Sequence, residues 1–204
     1  QNWLAALFAV VLIITYMGGF NLLASFNVAD AFTQYSWANE WTPWIIGAIL
    51  AVLMAASIFG GTRRLTDVTG FLVPVMAIIY LGVGLVVVVL NYQNIPAMFS
   101  AIFSNAFDFP AIFGGFAGSA MMYGIKRGLY SNEAGVGSAP NAAASASVSH
   151  PAKQGLVQML SVFIDTMIIC TLTAFVVLSS GVGQDGGVTG APLVKDAMAT
   201  VLGQ

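Results

Sequence analysis

The chain has 204 residues, 58% of them apolar and 7% charged, with a formal net charge of −2 and a mean hydropathy of +0.88. This balance excludes an ordinary soluble domain, and the few scattered basic residues argue against nucleic acid or an acidic partner. The partner it points to is the lipid bilayer; the single cysteine, Cys170, lies in an apolar run and reads as a small buried hydrophobe, with no intrachain disulfide to form.

In chain order, "QNWLAALFAVVLIITYMGG" has no Met start, basic n-region or small-residue cleavage site. It does not read as a signal peptide, and the chain is expected to begin inside a longer protein. A hydrocarbon core of about 30 Å takes roughly 20 apolar residues per helix. By that measure the expected spans are 3–24, 44–59, 68–90 and 155–180, with a weaker one at 107–125 that is broken by Gly114, Gly115 and Gly118. Arg63 and Arg64 follow the second run, and Lys126, Arg127 and Lys153 lie between the weak span and the last one. Lys and Arg near span ends favour the cytoplasm, so both connections are placed inside, the second as a cytoplasmic loop over 126–154. The connections around Phe32 to Pro43, Asn91 to Asp108 and Gly181 to Pro192 carry no Lys or Arg and are placed outside. The glycine-broken segment must then cross from outside to inside. Trp37, Trp41 and Trp44 fall where an aromatic belt would anchor the second run. The fold class is all-α, a polytopic membrane protein.

Backbone at membrane depth must be satisfied internally, so an unwound glycine-rich stretch is tolerated only against protein or a water-filled cavity. Transporters build sites from such broken helices. The alternative for "GGFAG" is close helix packing through small residues. Asp165 is the one carboxylate well inside a strong apolar run, near the expected bilayer midplane, where a lone charge costs on the order of 3 kcal/mol. It should face the protein interior, paired, hydrogen-bonded, protonated or bound to a cation. Thr166, Thr171 and Thr173 offer further oxygens, but they fan around the helix, whereas a hard cation wants oxygens converging from several segments. The polar stretch "GLYSNEAGVGSAPNAAASASVSHPAKQG" admits an intracellular gate or a structural loop, with Ser131, Asn132 and Glu133 capping helix ends or bonding Lys126 and Arg127. "GVGS" lacks the spacing and lysine of a phosphate loop. His150, before Pro151, marks a helix start and is given no role. One histidine and one cysteine on different segments make no nucleophile and base pair, so an enzyme is not expected. No repeated filter suggests a channel.

"GLYSNEAGVGSAPNAAASA", "HPAKQGLVQML" and "FIDTMIICTLTAF", with "IFGGTRRL", "VPVMAIIYL", "NIPAMFSAIFSNAF" and "GAPLVKDAMATVLG", resemble the alanine/glycine:cation symporter family, the sodium:alanine symporters or amino acid carrier proteins. The resemblance covers essentially the whole chain. It implies a LeuT-type fold of two inverted five-helix repeats, of which this chain would hold core helices three to seven, the sixth broken, with 181–204 starting an extracellular lid. It further implies sodium symport of a small neutral amino acid by alternating access in the cell membrane of a bacterium or archaeon. Alanine or glycine come first, with serine or glutamine also open, because "NLLASFNVAD" departs from the family's V-Q-x-N pattern. A proton is the alternative coupling ion; a non-transporting scaffold or a channel is the alternative function. On this reading Phe113 to Gly118 unwinds, backbone groups of Gly114, Gly115, Ala117 and Gly118 face the substrate, and Phe116 lines its side-chain pocket. Asn21 and Ser25 add polar contacts. Asn132 and Glu133 belong to the gating loop, and Asp165 with Thr166 acts in coupling or gating. In LeuT-type folds the sodium sites draw largely on the first and eighth helices, so Asp165 is expected to tether helix seven rather than to ligate sodium.

Overall fold

The computed structural model describes residues 2–33, 35–107, 119–131, 137–182 and 189–203. Among them every regular element is a helix. The chain divides into two compact units, Gln1–Tyr80 with Gly186–Asp196, and Leu81–Asp185 with Ala197–Gln204.

The first unit opens with one long helix, Trp3–Thr33, of 31 residues. It consists of α1 (Asn2–Ile14), a π-helical segment (Thr15–Phe20) and α2 (Asn21–Thr33). At 1.5 Å per residue it is about 46 Å long, well over the hydrocarbon thickness. The helix therefore runs past the apolar run expected at 3–24, carrying Asn27 and Asp30 in its last turns. None of its most apolar 18-residue window is buried among the described residues. A short turn leads into α3 (Thr42–Ile58). There the Asn39 N–H donates to Thr42 Oγ1 at 2.9 Å and the Trp41 N–H to Asn39 Oδ1 at 3.0 Å, so one buried threonine and one asparagine close the turn. Pro43 in the first turn of α3 loses no hydrogen bond that the helix could use.

Helix α4 (Gly61–Leu90) starts seven residues ahead of the apolar run and takes Arg63 and Arg64 into its first turn. Gly61 has φ 76°, a left-handed conformation that a side chain would strain. Pro74 lies inside the helix, which membrane helices tolerate because neighbouring groups re-satisfy the freed carbonyl.

In the second unit the end of α4 is followed by a 3-10 turn (Tyr92–Asn94), α5 (Ile95–Ala106), α6 (Ser119–Ser131), α7 (Ser138–Ala144), α8 (Pro151–Phe163), a π-helical segment (Ile164–Cys170), α9 (Thr171–Ser180) and, shared with the first unit, α10 (Ala191–Leu202). The π segment joins α8 and α9 into one 30-residue span, Pro151–Ser180. The stretch 126–154, expected as a loop, thus holds the end of α6 and the whole of α7, whose "SAPNAAA" is rich in the best helix former. Of the span expected at 107–125, residues 108–118 lie outside the described residues, and α6 carries its last part.

Val87, Val176 and Ala197 form the buried core of this unit, with Leu172, Val177 and Met198 packed against them. Phe99 meets Phe175 edge to face at 5.7 Å. Gly181, at φ 71°, ends α9 as a left-handed C-terminal glycine does. Beside it, Asn94 Nδ2 donates to the Ser179 carbonyl at 2.8 Å. This carbonyl is among the last four of α9, which have no partner within the helix. Asn94→Ala in the full-length protein is expected to cost about 1–2 kcal/mol, read as a lowered melting temperature in detergent; an unchanged melting temperature would show that water takes over the carbonyl.

Candidate functional site

The described residues with the most chemistry gather around Asp165, at the middle of the span Pro151–Ser180. The Ser131 hydroxyl, at the end of α6, donates to Asp165 Oδ2 at 2.7 Å. Ser131 Oγ also lies 3.0 Å from Cys170 Sγ. All three side chains are half-buried. Asp165 and Cys170 stand five residues apart in the π-helical segment, and one hydroxyl on a separate helix touches both. A short hydrogen bond to a carboxylate is about twice as strong as one between neutral groups. It ties α6 to the centre of the long span.

The three side-chain oxygens of Asp165 and Ser131 are fewer than the six or so that surround a typical hard cation. The pair does not make a sodium cage by itself. Among the described residues no group of three or more His, Cys, Asp and Glu could hold a metal ion. Ser131 was expected to cap a helix or to bond Lys126 and Arg127; its hydroxyl is directed to Asp165 instead. Thr166 follows Asp165 in the π segment and is half-buried. Thr173 Oγ1 bonds the Ile169 carbonyl at 2.8 Å, a local use of its hydroxyl.

In the first unit, Asn21 and Ser25 occupy the first turn and a half of α2, directly after the π-helical Thr15–Phe20. The structure brings them together on one side of a cleft of about 410 Å³, with Gly47, Ala51 and Met54 of α3 on the other. Gly114, Gly115, Phe116, Ala117, Gly118, Asn132 and Glu133 lie outside the described residues.

His150 is the N-cap of α8. Its backbone is extended, Pro151 follows as the first helical residue, and Nδ1 accepts the Ala152 N–H at 3.1 Å. The sequence reading missed Cys170 as a neighbour of Ser131. The two are 39 positions apart, and nothing in "IDTMIIC" marks the π turn that places Cys170 on the same side as Asp165.

A sequence model described as the sodium:alanine symporter family matches residues 1–204. The amino-acid carrier protein AlsT of Bacillus subtilis (strain 168) is 44% identical over 185 residues, which cover 91% of this chain and 39% of that protein. The sodium/alanine symporter AgcS of Methanococcus maripaludis is 43% identical over 169 residues, 83% of this chain and 37% of that protein. A sodium/proton-dependent alanine carrier protein of Bacillus sp. (strain PS3) is 43% identical over 155 residues, 76% of this chain and 34% of that protein. The chain spans roughly two fifths of the length of the curated relatives that it matches. Matched along its whole length, the chain belongs to the sodium:alanine symporter family.

Proposed function

We propose that this chain is the central part of a secondary transporter that imports a small neutral amino acid, alanine or glycine first, together with sodium. The family match over residues 1–204 carries the reading. It is supported by relatives named for sodium and alanine, while a relative named as sodium/proton-dependent keeps the proton as the alternative coupling ion. Their sources, Bacillus and Methanococcus, favour the cell membrane of a bacterium or archaeon. Sodium, moving down its gradient, supplies the driving force.

The chain's own part is to bind the substrate and to couple two halves of a cycle. In a LeuT-type arrangement of inverted repeats, the glycine segment Gly114 to Gly118 offers backbone groups to the amino and carboxylate ends of the substrate, and Phe116 bounds its side chain. Asn21 and Ser25, on the cleft beside α3, offer further polar side chains for the substrate. Asn132 and Glu133 lie just beyond α6 and move with the inner gate. Asp165 holds α6 to the seventh core helix through Ser131, so a displacement of the glycine segment is passed along α6 to the middle of that span. No bond is made or broken in this cycle.

The test is sodium-dependent uptake by the full-length protein in proteoliposomes, with alanine, glycine, serine and glutamine in competition. Uptake that needs a sodium gradient is the expected result; ion flux without a coupled amino acid would overturn the reading. Phe116→Ala is expected to weaken apparent affinity about tenfold and to admit larger side chains, since a vacated pocket discriminates poorly by size. Unchanged affinity and selectivity would dismiss the pocket assignment.

A further inference from the structure

The end of the first span is finished by a residue from the other end of the chain. The last four carbonyls of a helix have no intrahelical partner. In α2 the Thr33 hydroxyl donates to the Asp30 carbonyl at 2.8 Å and the Tyr35 N–H lies 3.4 Å from the Phe32 carbonyl. The Ala31 carbonyl between them takes the Lys195 ammonium at 2.9 Å, from helix α10. That ammonium also stands 5.5 Å from the centre of the Tyr35 ring, and the ring is itself stacked on Trp37 at 5.9 Å. A cation here meets the negative end of a helix dipole and the face of an aromatic ring at once.

We propose that Lys195 is a positioning residue that reversibly pins helix α10 to the end of the first span, and that its release uncovers that end to the external solution. The contact is built to come apart. It is a hydrogen bond and a contact with one ring face, both made by the tip of a flexible four-carbon stem; Lys195 is half-buried, and Tyr35 remains 49% exposed. When the lysine leaves, water reaches the Ala31 carbonyl, so no buried group is orphaned as it would be at membrane depth. Helix α10, at 12 residues, is too short to span a bilayer. The orientation used here rests on the transport reading above; the pinning itself does not.

The experiment labels a cysteine at position 31, introduced as Ala31→Cys into the full-length protein without other reactive cysteines, with a membrane-impermeant maleimide. Lys195→Met, which keeps the stem and removes the charge, is expected to raise the labelling rate about tenfold or more, the factor set by one charge-assisted hydrogen bond. Lys195→Arg and Tyr35→Phe are expected to label like the native protein, and Tyr35→Leu to fall between. Should Lys195→Met fold poorly, Tyr35→Leu against Tyr35→Phe carries the test. Equal rates with Lys, Arg and Met at position 195 overturn the proposal. In uptake assays, Lys195→Met is expected to change apparent affinity for external alanine more than the maximal rate. If labelling responds while no variant transports, the pinning stands and the transport reading falls.

Discussion

Ser131→Ala in the full-length protein is expected to lower the proposed sodium-dependent uptake at least tenfold. The substitution leaves the Asp165 carboxylate without the hydroxyl that now donates to it at 2.7 Å. Losing a hydrogen bond to a charged group costs about 1.5–3 kcal/mol, and each 1.4 kcal/mol is a factor of ten in the balance between conformations. Asp165→Asn separates charge from attachment. The amide oxygen still accepts from Ser131, so the variant should fold, and the removed charge should shift the sodium dependence of uptake. Asp165→Ala removes both and should transport least. Initial rates against sodium concentration, with folded protein measured by size-exclusion chromatography, distinguish the cases. Loss of folded protein in Asp165→Asn would make the residue a structural tether alone, and normal folding with normal sodium dependence would dismiss both roles.

The other large effect is expected at Gly84, where α4 approaches α9. A Cβ at this position would lie 2.8 Å from Leu172 Cδ2 and 3.0 Å from its Cγ, closer than carbon atoms pack. Small residues at such crossings are what allow membrane helices to meet, since lipid gives apolar surfaces no reason to leave it. Gly84→Ala should cost about 1–3 kcal/mol by overpacking, and Gly84→Leu should yield little folded protein. Because the obstacle is one side chain, Leu172→Ala in the Gly84→Ala background should recover part of the loss. In a double-mutant cycle of melting temperatures in detergent, the two changes should couple by about 1 kcal/mol or more. Strict additivity would mean that the helices part rather than that Leu172 yields.

Helices lie over the runs expected at 3–24, 44–59, 68–90 and 155–180, because a long apolar run can satisfy its backbone groups internally only as a helix or a closed barrel. The helices outrun those apolar stretches: α2 carries Asn27 and Asp30, and α4 has Arg63 and Arg64 in its first turn, because backbone hydrogen bonding does not stop where the apolar side chains do. Asp165 was legible as a residue that needs a partner, from its charge and depth alone. Its partner was not. Ser131 lies 34 positions away, and small polar residues abound in the surrounding stretch, so only the packing of α6 selects this one. The cap by Lys195 is 164 positions long-range and has no local signal either. Val87, Val176 and Ala197 look like any lipid-facing aliphatics in the sequence, because helices bound for lipid and helices bound for each other use the same residues.

The π-helical turns at Thr15–Phe20 and Ile164–Cys170 hold surplus chain. Each N–H in such a turn bonds the carbonyl five residues back, where an α-helix would use the fourth. Were either segment to rewind as α-helix, one residue would have to be passed along, and everything beyond it would advance about 1.5 Å and rotate about 100°. The two spans are in this sense screws with a spare thread. A quarter-turn or so of Asp165 about its axis would part it from Ser131 while nearly every backbone hydrogen bond stays made, which is the only kind of rearrangement a helix can undergo cheaply where no water waits to replace a broken bond.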